Sequence, residues 1–385
     1  MTAGPPTSPS AQFPESSAVP LPPRLPPART RPATAAATSR RQWPALLALG
    51  VTGVLFALVI VEVCARLVSG NWTDSFLERQ LGWIRGGYPV SYDAELGWIP
   101  KAGFSSSRNI WHTQVTITPD NLRANGPGPS PRGGRPVLAI GDSFTFGDEV
   151  ADAQTWPAHL ERLSGRPVLN AGVFGYGVDQ MVLRARKLVT TLRPEWVIVS
   201  FIPHDVVRCE LSVFGAAKPY FQLEGGELRP GNQPVPPPPL VARDTFRRIF
   251  GHSFVVHTVM RNVAGSYWLR GRRKTVRAHH DGEAVAARLL RSLAEDLDAR
   301  GVRLLVVAQG VRELPAAEKG MAARVLKGLE RSPALILDLH DPLAELRERD
   351  PARFAGFYRL HMTDSGNAFV AERIADAIRK AGPAS

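Results

Sequence analysis

Cysteine is nearly absent. Cys64 and Cys209 are the only two in 385 residues, too few for a disulfide framework and without the paired spacing of a zinc or iron–sulfur site. Metal chemistry through thiolates is thereby excluded. Acid is missing from the first 42 positions except for Glu15, while five arginines and ten prolines stand there. Such a stretch buries too little apolar surface to offset the entropy of ordering, which predicts a disordered tail over 1–42. From Trp43 to Val61 no charge of either sign occurs. No internal repeat is evident, so a repeat architecture is excluded as well.

What is present is ample material for a core. With 44% hydrophobic and 21% charged residues, neither a wholly disordered nor a fibrous protein fits, and the length suits one large domain with appendages. The uncharged run WPALLALGVTGVLFALVIV is nineteen residues long and spans about 28 Å as a helix, close to one hydrocarbon core. It predicts a transmembrane helix over 43–68, with a buried core helix and a cleaved signal peptide as rivals. Arg24, Arg29, Arg31, Arg40 and Arg41 precede it, so the positive-inside rule puts the tail in the cytoplasm and everything after residue 70 outside. Val63 before Cys64 removes the lipobox of a lipoprotein. The expected location is the inner (cytoplasmic) membrane, single-pass, with the functional domain periplasmic; nucleic acid is not an expected partner there. Glu62 and Arg66, four apart, are expected to pair at the outer interface.

Residues 71–134 are rich in turn formers and aromatics and predict an irregular, β-containing extension. After residue 135 the pattern changes. RPVLAIGDS, RPVLNAG, PEWVIVSFI, VRLLVVAQG and ALILDLH read as five buried strands, alternating with helices near 154–163, 178–192, 283–299, 315–330 and 364–381. Strands buried on both faces and separated by helices argue for an α/β sandwich over 135–385, built on a five-stranded parallel sheet with ligands at the carboxyl ends of its strands. An insertion at about 206–280 carries PVPPPP (234–239) and a basic run, RGRRKTVRAHH (270–280), read as a solvated face, with binding to acidic glycan or lipid headgroups as the lesser option.

Two residues stand where chemistry belongs. Ser143 follows the first strand in Gly141-Asp142-Ser143-Phe144, and His361 precedes the last helix in LHMTDSGN. A serine needs a base within hydrogen-bond reach, and this chain order lets a distant loop supply one. GDSF at 141–144, NAGVFGYG at 170–177, a polar pair at 204–205 and HMTDSGN at 361–367 together resemble the SGNH/GDSL hydrolase family. YDAELGW (92–98) and NLRANG (121–126) behind a single anchor are similar to its membrane-anchored bacterial members. The resemblance implies a flavodoxin-like sandwich and acyl-ester chemistry without cofactor or metal. Ser143 would be nucleophile, His361 general base, and the amides of Ser143 and Gly175 oxyanion-hole donors, with Asp142 and Asp205 supporting.

The sequence departs from that family twice. His204 stands where the family has asparagine, and its imidazole N–H offers a third donor if the tautomer is fixed, with Asp205 beside it. Tyr358, followed by Arg359, stands where the family has the aspartate that orients the histidine; Asp338, Asp341, Asp364 or a backbone carbonyl remain as replacements. The expectation is an extracytoplasmic serine esterase or acyltransferase, acting on O-acetyl esters of cell-envelope glycans. A catalytically impaired glycan-binding or scaffolding protein, and a lipase on membrane lipids, are the alternatives.

Overall fold

The computed structural model describes residues 37–72, 75–85, 88–128, 130–131, 133–238, 244–270, 275–313 and 316–382. Most of the expected tail, 1–36, therefore lies outside the described residues, as do 271–274 of the basic run and residue 239 of PVPPPP. The chain divides into a first unit ending at Val59 and a second running from Ile60. Helix α1, Ala37–Ser69, starts earlier than expected, so 37–42 are helical. Within Gln42–Ser69 an 18-residue window has a mean hydropathy of 2.5 and none of that window is buried, so this helix is long and apolar enough to cross a membrane.

The second unit is built on a parallel sheet of β1 (Val137–Gly141), β2 (Val168–Asn170), β3 (Trp196–Phe201), β4 (Arg303–Ala308) and β5 (Leu335–Asp338), in the spatial order 2-1-3-4-5. All five are the expected strands. Every residue of β1 and β3 is buried, because helices cover both faces: α2 (Trp156–Ser164), α3 (Val178–Leu192), α4 (Pro203–Arg208), α7 (Gly282–Asp298), α8 (Ala316–Lys327), α9 (His340–Arg349) and α10 (Asp364–Lys380). The helix at 340–349 was not expected, since its polar sequence offers only Leu343 and Leu346 to the core. The order reverses between β1 and β3, and it is at such a switch point that an open α/β sheet leaves a crevice beyond its carboxyl edge. The register sets Gly141 beside Ser200 and Ala139 beside Asn170, so the loops after β1, β2 and β3 open on one edge.

The extension is knitted into this unit. Trp98 Nε1 donates to the Phe174 carbonyl at 3.1 Å and Tyr176 Oη donates back to the Trp98 carbonyl at 2.6 Å. Among its described residues the insertion contains a hairpin, Tyr220–Glu224 with Glu227–Gly231, and the helices α5 (Thr245–Phe250) and α6 (Phe254–Val263), followed by the single turn Gly265–Trp268. Cys209 is buried and free, as expected of an inert thiol.

Candidate active site

The turn after β1 is shaped by close packing. A Cβ on Gly141 would lie 2.0 Å from Thr145 Oγ1 and 2.6 Å from the Ser200 carbonyl, so only glycine lets the chain leave the sheet here. Asp142 caps the single turn Ser143–Phe146, its carboxylate accepting from the Phe144 amide at 2.9 Å. Ser143 thus sits at the start of a helical turn beyond the sheet's carboxyl edge. Gly147, at φ 85°, ends the turn in a left-handed conformation, and Glu149 follows with φ 69°.

His361 reaches the same edge from the other end of the chain. Thr363 caps α10, a Cβ on Gly366 would strike the Phe357 carbonyl at 2.5 Å, and the buried Asn367 accepts from the Trp156 amide at 2.9 Å. These three contacts explain the residue types of HMTDSGN and pin the loop beside the turn after β1. His361 Nε2 then lies 3.1 Å from Ser143 Oγ, across 218 positions of sequence. Burial holds the imidazole below its ordinary value, the charges of Asp142 and Glu149 pull it up, and Arg208 adds to the lowering. The ring therefore stays neutral, and able to accept a proton, to lower pH than a free histidine.

The carboxylates beside His361 are ones that sequence reasoning missed. Glu149 accepts from the His361 amide at 3.0 Å, and its Oε2 lies 3.8 Å from Nδ1, the nitrogen turned away from Ser143. Asp148 lies 3.8 Å from Nε2 instead. Nδ1 has no hydrogen-bond partner at these distances. Of the replacements expected, Asp364 is engaged with His159 Nε2 at 2.8 Å and Asp338 with His340 Nδ1 at 2.6 Å. Asp341 opens α9 and is exposed. Tyr358 is buried and donates to the Gly310 carbonyl at 3.3 Å, filling the aspartate's place with packing rather than charge. The only signal for Glu149 was its nearness in sequence to Ser143.

Arg123, from NLRANG, holds the loop that carries Asp148 and Glu149. Its buried guanidinium donates to the carbonyls of Phe146 at 2.8 Å, Gly147 at 2.6 Å and Val150 at 2.7 Å, and its Nε to Asp152 at 3.2 Å. Behind Ser143, Arg208 bonds Asp142 at 3.3 Å, the Tyr176 carbonyl at 3.1 Å and Asp205. Burial, followed by the charge of Asp142, pushes the Asp205 carboxyl well above its ordinary range. Asp205 also accepts from the Ile202 amide at 2.8 Å, closing the turn after β3. His204 stands on the first turn of α4 with an exposed side chain, so the polar pair divides into an outward histidine and an inward acid.

Gly175 follows β2 with φ 72°, and a Cβ there would fall 2.3 Å from the ring of Trp83. Trp83 belongs to an aromatic cluster with Tyr88, Trp98, Phe174 and Phe214, ring centroids 5.0 to 5.8 Å apart. Gly175→Ala is expected to shift this loop. An esterase assay tests whether the Gly175 amide serves as an oxyanion donor: if it does, kcat is expected to fall on the order of 100-fold, with a smaller change in KM. An unchanged kcat would remove Gly175 from the site.

Neither a protein-family model nor a curated protein matches this chain. Among solved structures it is similar to a protein described as lipolytic, of the G-D-S-L family, from Desulfitobacterium hafniense, at 14% identity and a TM-score of 0.38 over 63% of this chain and 99% of that one. It is similar to a catalytic mutant of an acetylxylan esterase from Geobacillus stearothermophilus, at 16% identity and a TM-score of 0.39 over 65% and 96%. A GDSL-like lipase from Bacteroides thetaiotaomicron matches at 14% identity and a TM-score of 0.35 over 64% and 89%. In the order of its motifs and of its strands, the protein resembles the SGNH/GDSL hydrolases, the family named in the descriptions of the first and third of these structures.

Proposed function

We propose that this protein is a serine ester hydrolase or acyltransferase, anchored by α1 in the inner membrane with its second unit on the extracytoplasmic side. The observation that carries the reading is the 3.1 Å contact between Ser143 Oγ and His361 Nε2. Ser143 attacks the ester carbonyl carbon while its proton passes to His361, and the new oxyanion is held by the amides of Ser143 and Gly175; His204, which faces outward, is left out of this hole. The intermediate collapses as His361 returns the proton to the leaving alkoxide. Water then attacks the acyl-enzyme and gives the acid; a sugar hydroxyl in its place gives a new ester. Support for a small acyl group on a cell-envelope glycan comes from the anchor and its orientation.

The test is hydrolysis of p-nitrophenyl acetate by the full chain in detergent, with a series of longer acyl chains and a fluorophosphonate probe. Turnover of the acetyl ester with labelling of Ser143 is the expected result. Preference for long chains would replace the glycan by lipid, and a folded protein that neither turns over nor labels would end the hydrolase reading. Because the base must be unprotonated, kcat/KM is expected to fall as pH drops through the pKa of His361, and burial sets that midpoint below the ordinary 6.5. A midpoint above 6.5 would contradict the assignment.

A further inference from the structure

The insertion carries two short helices, α5 and α6, that the chemistry above does not use. α5 and α6 expose Phe246, Ile249 and Phe250, and Val259 and Val263, with Ile249 58% and Val263 80% accessible. Their inner side is firmly held. Trp268, Leu77 and Leu81 form a small core beneath them, and buried Arg247 donates to the carbonyls of Trp268 at 3.1 Å and Arg270 at 2.8 Å. The apolar side chains outside are thus presented by a fixed support, and an apolar patch of this kind on a soluble surface marks an interaction site.

The end of α1 identifies what covers it. Glu62 Oε2 accepts from Ser253 Oγ at 2.9 Å and from the Val255 amide at 3.1 Å, taking up the N-terminus of α6. Arg66 bonds Glu62 at 2.8 Å and the His252 carbonyl at 2.6 Å, and its guanidinium lies 5.5 Å from the ring of Phe76. As a helix, Trp43–Glu62 measures about 30 Å, one hydrocarbon thickness, which puts Glu62 at the boundary between acyl chains and headgroups. That contact brings the start of α6 to the same depth, and α5 ends at Phe250, four positions before α6 begins. Arg248 and Arg261 are exposed on the same helices, and exposed Trp72 follows α1. Cations that meet anionic headgroups and aromatics at the interface are the composition of a helix lying on a membrane.

We propose that α5 and α6 form a lipid-docking face that lies in the outer interface of the membrane α1 crosses. The proposal rests on the reading of α1 as a membrane anchor. Full-length protein carrying Cys64→Ser, with buried Cys209 unreactive, would be labelled with an environment-sensitive fluorophore at Ile249→Cys, Val263→Cys, Val54→Cys or Leu163→Cys. Each would be placed in vesicles containing anionic lipid, spin-labelled either near the headgroup or deep in the acyl chain. Probes at 249 and 263 are expected to shift to the blue and be quenched several-fold by the shallow spin label, since such helices sink to the headgroup–acyl boundary. The probe at 54 should be quenched by the deep label and that at 163 by neither. Quenching at 54 with 249 and 263 behaving like 163 overturns the docking face and leaves the anchor. No quenching at 54 overturns the anchor and the proposal with it. A blue shift at 249 and 263 without lipid quenching assigns the face to a protein partner, a second copy included, and overturns it too.

Discussion

Ser143→Ala is expected to reduce ester hydrolysis on the order of 10⁴-fold or more and to abolish fluorophosphonate labelling, because the nucleophile and its leaving proton vanish together. His361→Ala should lower turnover similarly, and the double variant little further, since residues that act as one unit do not add. Stability separates this from a folding defect. Ser143 is buried and its hydroxyl is held by His361 at 3.1 Å and Asp142 at 3.3 Å, so its removal should change unfolding free energy by only about 1 kcal/mol. Thermal unfolding followed beside the rate checks both. A Ser143→Ala protein that unfolds like the parent and still hydrolyses acetyl esters would place the nucleophile elsewhere.

Glu149→Gln carries the second large expected effect. The amide oxygen of glutamine can still accept from the His361 amide, which Glu149 does at 3.0 Å, so the loop is retained while the charge facing Nδ1 is lost. A carboxylate there selects the tautomer with the proton on Nδ1 and stabilises the imidazolium that forms as Ser143 attacks. The 3.8 Å separation is too long for a hydrogen bond, and contacts of this kind tighten when substrate binds. The expected loss is on the order of 100-fold in kcat, as for the weakening of a general base, with KM little changed. A second readout separates positioning from mere support. Since the charge of Glu149 raises the pKa of His361, its removal should move the acid limb of the kcat/KM profile to lower pH. Asp148→Asn is expected to do far less, because burial already pushes that carboxyl well above its ordinary range and it faces Nε2 rather than Nδ1. Should Asp148→Asn prove the more damaging change, the orienting acid is Asp148.

Much of this architecture was legible in the chain. The five strands announced themselves because VLAI, WVIVSF and RLLVVA are apolar without alternation, which only a sheet covered on both faces accommodates. Helix α3 spans the expected 178–192. Ser143 and His361 were singled out because residue type and place in the α/β order together restrict what a strand-end serine and a pre-helix histidine can do, and the fold brings them to 3.1 Å. These are statements about local burial and about neighbours in sequence, and one chain carries them in full.

The partners of the histidine were decided otherwise. Asp338, Asp341 and Asp364 lie closer to His361 in sequence, yet Glu149, 212 positions away, faces its ring. That choice depends on a left-handed backbone at Glu149, on Arg123 clamping the loop from an extension that read as irregular, and on Asn367 drawing α10 against Trp156. The exposed apolar face of α5 and α6 gained its meaning in the same way, once Glu62 and Arg66 were seen to grip the start of α6. Periodicity records which side of an element meets apolar surroundings. Which carboxylate reaches an imidazole nitrogen is set by side-chain directions at the end of a loop, where contacts among distant residues outweigh any local preference, and only the folded chain brings those contacts together.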